Sequence, residues 1–177
     1  LTVKYSPDGR VLWSARYNGL ADGEDSAYAL ALDSTGDVLV TGVSAAVGGG
    51  LEFATVKYAG DSGALRWVKR FNGPGSSSSI PRVVAVDPSD DVLVTGISEQ
   101  GPAHFATIKY AGRDGALRWQ ARFDGPNPGG AYAEAMAVDA AGNVLVAGSS
   151  NQGFATVKYD GASGAHLWNQ VYDGPAG

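Results

Sequence analysis

Four lysines stand at matching places in this 177-residue chain: Lys4, Lys57, Lys109 and Lys158, each inside a Thr-Val-Lys-Tyr or Thr-Ile-Lys-Tyr tetrapeptide. A lysine kept from water can serve as a base or form a Schiff base. That chemistry needs one distinguished residue, and four equivalent copies read instead as scaffold. In this reading the stem packs between structural units while the ammonium pairs with a carboxylate or caps turn carbonyls. The expected carboxylates are Asp33, Asp87 and Asp139, one in each complete repeat. Trp13, Trp67, Trp119 and Trp168 keep step with the lysines and are expected to fill the space between neighbouring units, with sugar stacking as the alternative.

Residues that do not recur are better candidates for a specific task. One position reads Tyr28, Arg82 and Glu134 in successive repeats, so Arg82 and Glu134 either pair with each other or line the mouth of a polar channel. Asp22, Glu24 and Asp25 are close together but miss the Asp-x-Asp-x-Asp-Gly spacing of a calcium loop. Glu99 and His104 join Ser98 on one loop, yet "GISEQ" lacks the second glycine of a nucleophile elbow, and proximity in sequence does not make a triad. "GPGSSSS" has neither the lysine nor the following helix of a phosphate loop. The two histidines, His104 and His166, show no metal-ligand spacing. The reading therefore assigns no catalytic residue, no cofactor and no metal.

These residues need elements to hold them. "TVKY", "TVKY", "TIKY" and "TVKY" begin at Thr2, Thr55, Thr107 and Thr156, and "DVLVTG", "DVLVTG" and "NVLVAG" precede the last three. "ALALD", "VVAVD" and "AMAVD" end at the three aspartates. Each segment has strand length, is rich in β-branched and aromatic residues, and is bounded by Gly, Asp, Ser or Pro, with no sustained helical period. The chain is predicted to be all-β, with strands A, B, C and D at 27–32, 38–43, 53–58 and 64–71 and equivalents elsewhere. Tight turns close the hairpins, left-handed at Gly36, Asp90 and Gly142 and at Gly9, Gly63, Gly115 and Gly164.

Four antiparallel strands in a tandem module of about 50 residues predict β-propeller blades. "GNVLVAGSSNQGFATVKYDGASGAHLWNQVYDGP", 142 to 175, resembles the bacterial SBBP repeat, a seven-bladed propeller family, and is more distantly similar to tryptophan-bearing quinoprotein-type repeats. The resemblance covers essentially the whole chain and implies a fold, with little about activity. The order of segments gives three and a half blades: a half-blade at 1–19, then blades at 20–73, 74–125 and 126–177. Two open blade faces would be apolar patches, so further blades from the same longer chain or another chain are the expected partners. Met136 is the sole methionine and Leu1 opens the chain, which adds an expectation of sequence upstream.

A net charge of −5 and the lack of a basic cluster argue against a nucleic-acid surface. No apolar run has the length of a membrane helix. With no cysteines, neither disulfides nor Cys-based zinc sites are available. The expected function is a non-catalytic binding or scaffold module of a bacterial extracellular, cell-surface or periplasmic propeller. It would engage a protein, glycan or surface through the loops that differ between repeats. Those are 20–26, 74–81 and 126–132 between blades, and 44–52, 98–104 and 149–153 between strands B and C. The alternatives are a fragment of a propeller enzyme, quinoprotein-type or glycosidase-like, and a structural subunit.

Overall fold

The computed structural model describes residues 1–73, 78–99, 101–126 and 130–174. Fourteen strands follow in order: β1 (Thr2–Tyr5), β2 (Val11–Ala15), β3 (Asp25–Leu32), β4 (Val38–Ala45), β5 (Leu51–Tyr58), β6 (Leu65–Phe71), β7 (Ser78–Val86), β8 (Val92–Glu99), β9 (Ala103–Tyr110), β10 (Leu117–Phe123), β11 (Ala131–Val138), β12 (Val144–Ser150), β13 (Gly153–Tyr159) and β14 (His166–Tyr172). No helix occurs among the described residues. Strands β1 and β2 form a half-blade, here blade I; β3–β6, β7–β10 and β11–β14 are antiparallel four-stranded blades II, III and IV. Among the described residues one parallel bridge, Leu51 to Ser78, links blades II and III. The expected strands are all present, with β3, β4 and β5 extended by two residues at the loop end.

The turns form where the residue types call for them. Gly36 and Gly142 have φ of 82° and 83°, and Asp90 takes the same left-handed conformation at 61°. Its carboxylate offsets the strain by accepting from the Ser34 amide and hydroxyl in the adjacent blade's turn.

Alternation along strand C sends Ala54, Val56 and Tyr58 to one face and Phe53 and Lys57 to the other. The first set packs with blade I and the second with blade III, so the apolar clusters lie at blade boundaries. Trp13, Val56 and Tyr58 fill the first boundary; Phe53, Trp67, Val94 and Tyr110 fill the second; Phe105, Trp119, Val146 and Tyr159 fill the third. Where a neighbour is incomplete the same position is bare. Leu30 on β3 is 68% exposed beside a half-blade without inner strands, while its counterpart Val84 on β7 is 6% exposed behind blade II.

Candidate functional site

Lys57 lies almost fully buried at a boundary, with its ammonium held by one carboxylate and one carbonyl and a second carboxylate close by. Its Nζ is 2.6 Å from Asp33 Oδ2 and 3.6 Å from Asp37 Oδ2, and it donates to the Gly112 carbonyl of the next blade at 2.9 Å. Trp67 Nε1 donates to that same carbonyl at 3.1 Å. Blade III repeats the arrangement one step on: Lys109 contacts Asp87 at 2.6 Å and Asp91 at 3.5 Å, and Lys109 and Trp119 converge on Gly161 O at 2.8 and 3.1 Å. In blade I, Lys4 and Trp13 converge on Gly60 O at 2.5 and 3.1 Å. The ammonium can be buried because a carboxylate and a carbonyl replace its water.

Each aspartate has two tasks. Asp33 Oδ1 accepts from the Thr35 and Asp37 amides and the Thr35 hydroxyl, fixing the A–B turn, and Oδ2 faces Lys57. Burial alone would raise its pKa, but the hydrogen bonds from Lys57, Thr35 and the Asp37 amide outweigh that and hold it below the ordinary value. In blade IV the Lys158 ammonium, the Asn143 side chain and the Asn143 amide bring Asp139 down to about 2.

This lysine–aspartate–carbonyl arrangement, a polar latch between blades, has members that the repeat lysines and aspartates alone do not reveal. Asp37, Asp91 and Asn143 each accept from the amide of the turn glycine in their own blade, Gly60, Gly112 and Gly161. The glycine whose carbonyl binds the preceding blade is thus held through its own amide by its own blade. A Cβ at Gly60, Gly112 or Gly161 would lie within 2 Å of a backbone oxygen, so only glycine fits. A Cβ at Gly63, Gly115 or Gly164 would strike the indole of Trp13 or Trp119, or the Lys69 stem and the Trp67 indole at Gly115. The turn glycines are readable in the sequence; their contacts some 50 residues away are not.

The non-recurring trio has a different setting. Pairing skips Tyr28, Arg82 and Glu134, because the register shifts between Ala27 and Ala29, between Pro81 and Val83, and between Ala133 and Ala135. Each is therefore the extra residue of a β-bulge on the first strand of its blade, where a bulge re-aims the side chain out of the sheet. All three are exposed. Arg82 Nε and Glu134 Oε2 are 3.8 Å apart across the boundary of blades III and IV, a loose and solvated pair. The sequence does carry a signal for the bulges: a glycine in the middle of each strand B. A Cβ at Gly42, Gly96 or Gly148 would lie 1.9–2.2 Å from the carbonyl oxygen of Ser26, Ile80 or Tyr132, which the bulge pushes across the strand.

The remaining candidates do not converge on one centre. Asp25 Oδ2 accepts from the Gly19 amide at 2.8 Å, Glu24 accepts from the Ser26 hydroxyl, and Asp22 is exposed. Among the described residues no group of three or more His, Cys, Asp or Glu is placed to hold a metal. Ser98 Oγ shares a hydrogen bond with Ser79 Oγ at 3.0 Å, and Glu99 is exposed. Of the variable loops, residues 74–77, 100 and 127–129 lie outside the described residues.

Sequence position gave no hint that His104 is buried on β9, with Nδ1 unpaired. Burial, then nearby Arg122, push its pKa down, with Asp124 and the Pro102 backbone opposing. Below the ordinary value of 6.5 the unfolded chain takes a proton that the folded chain resists. Stability is therefore fully present above that pH and falls as pH drops below it, by at most about 1.4 kcal/mol per pH unit for one proton. Urea melts of the chain and of His104→Gln between pH 7.5 and 5 should show the decline only where histidine is kept. The aspartates, with depressed values, add their loss at much lower pH.

Boundary latches repeated in register, four-stranded sheets and a bulged first strand in each complete blade decide the architecture. The chain is an open array of propeller blades. No protein-family profile and no curated protein matches the chain. Among solved structures it is similar to the crystal structure of BamB from Moraxella catarrhalis, with 21% identity and a TM-score of 0.54. The match covers 91% of this chain and 40% of that one. At this identity the likeness is one of fold.

Proposed function

We propose that the chain is a non-catalytic binding or scaffold segment of a larger bacterial cell-envelope propeller, extracellular, cell-surface or periplasmic, with a protein or glycan partner at its loop end. The finer resemblance to SBBP repeats belongs to this reading. One observation carries it. The recurring polar residues Lys57, Lys109, Asp33, Asp87, Trp67 and Trp119 are consumed in holding blades together, whereas the non-recurring Tyr28, Arg82 and Glu134 are exposed on bulges at one equivalent position. Presentation of different side chains from one fixed backbone feature suits recognition. The similarity in fold to BamB is compatible with a bacterial propeller and adds nothing on the ligand.

The test uses a Tyr28→Ala, Arg82→Ala, Glu134→Ala triple variant, with a glycan array and purified cell-wall sacculi as probes. Because the three side chains are exposed, melting should be unchanged within a degree or two while binding to whichever probe the chain recognises is lost. Retained binding in the triple variant would sink this reading. So would turnover of chromogenic glycosides or of a quinone-coupled dye by the purified chain.

A further inference from the structure

Three blade boundaries are closed by the same arrangement: a lysine and a tryptophan of one blade meet the carbonyl of a turn glycine in the next. Blade IV carries the lysine, the aspartate and the tryptophan, and among the described residues no other blade supplies them an acceptor. Lys158 is held by Asp139 at 2.9 Å, but both side chains are several times more exposed than those of Lys109 and Asp87. Trp168 is 39% exposed, against 6–7% for Trp13, Trp67 and Trp119. Phe154 is 73% exposed, while its counterparts Phe53 and Phe105 are at 1% and 0%. Tyr172, paired with Phe154 across the strands and 64% exposed, extends the bare patch.

We infer that this face of blade IV docks a further blade of the same repeat, in which the carbonyl of a glycine in the incoming outer-hairpin turn accepts from Lys158 Nζ and Trp168 Nε1. The inference deepens the proposed reading of a segment within a larger propeller and rests on it. The three existing boundaries define what the incoming turn must present. It has a tyrosine about 6.3 Å from the indole, then a glycine with a free carbonyl, then a left-handed glycine beneath the ring, as in Tyr110, Gly112 and Gly115.

A second copy of this chain does not offer such a turn. In blades II, III and IV the turn is already occupied by Trp13, Trp67 or Trp119 of the preceding blade. The turn of blade I is free, with nothing within 4 Å of a Cβ at Gly9, but it is built differently. Gly9 bonds back to Ser6 three residues earlier, whereas Gly63, Gly115 and Gly164 bond back four residues, to Ala59, Ala111 and Asp160. The residue lost in this shortening removes the intervening glycine, and Pro7 follows Ser6 directly. The sequence records the loss: Lys4 to Lys57 spans 53 positions and Trp13 to Trp67 spans 54, while later lysine and tryptophan steps agree.

The test compares the full chain with the same chain extended at its C-terminus by a copy of residues 74–125. Indole oxidation is followed residue by residue by mass spectrometry, with particle mass from light scattering. In the unextended chain Trp168 should be the reactive indole and the particle monomeric. Extension should abolish that reactivity, bringing Trp168 to the rates of Trp67 and Trp119, and Lys158→Met in the extended chain should restore part of it. Trp168 protected in an unextended dimer would overturn the inference in favour of a second copy. Trp168 as reactive after extension as before, whether or not the added strands are protected from hydrogen exchange, would overturn it outright. Loop-end binding is read on a different surface, so this result and that one can fail separately.

Discussion

Replacing Lys109 by methionine is expected to destabilise the chain by about 3–5 kcal/mol, because it leaves the Asp87 carboxylate buried at a blade boundary without its counter-ion. The methionine preserves the packing of the stem, so the loss reports the charge and its hydrogen bonds. Gly161 O would also lose one of its two donors, keeping only Trp119 Nε1. The double variant Lys109→Met, Asp87→Asn should recover much of the loss. Asparagine keeps an oxygen for the Ser89 and Asp91 amides and removes the stranded charge. Lys158→Met is the internal control: its pair with Asp139 is more exposed and has no carbonyl from a further blade, so a far smaller change is expected. Urea denaturation of the four proteins gives the comparison. A stable Lys109→Met variant that loses only ligand binding would show that the repeat lysines recognise something, and the scaffold reading would fall.

This contrast between identical residues in unlike surroundings also explains what the sequence could convey. Strands, hairpin turns and the lysine–aspartate pair were legible because each depends on residues close in sequence and the repeat states them several times. Alternation in "FATVKY" was enough to separate Lys57 from Val56, and the left-handed turn position tolerated Asp90 as expected. Capping of a turn carbonyl is an expectation the sequence supports, but which carbonyl, and that it belongs to the next blade, is not legible. Gly60, Gly112 and Gly161 are turn residues like many others until the next blade stacks, and that stacking is a long-range event. The bulges are not legible for a related reason. A glycine within strand B sits inside an ordinary strand motif, although Gly42, Gly96 and Gly148 are there to let a neighbouring carbonyl cross. The equivalence of Tyr28, Arg82 and Glu134 is legible from the repeat; that a bulge turns this one position out of the sheet is not.

Because blades touch only their neighbours, removing one boundary contact should loosen one boundary before the whole. Trp119→Ala is expected to cost about 3–5 kcal/mol, since it empties the space between Tyr159 and Gly164 and takes a donor from Gly161 O. Trp119→Phe keeps a ring in that space but lacks the N–H, and a loss nearer 1 kcal/mol from the hydrogen bond is expected in addition to imperfect packing. Trp168→Ala should be much milder in the chain as it stands, because its indole is partly solvated. Native-state hydrogen exchange separates a local effect from a global one: amides of β11–β14 should exchange faster in Trp119→Ala while those of β3–β6 keep their protection. If instead all blades lost protection together, the array would behave as one cooperative body, and the boundary at Trp119 would be a support for the whole chain as well as for blade IV.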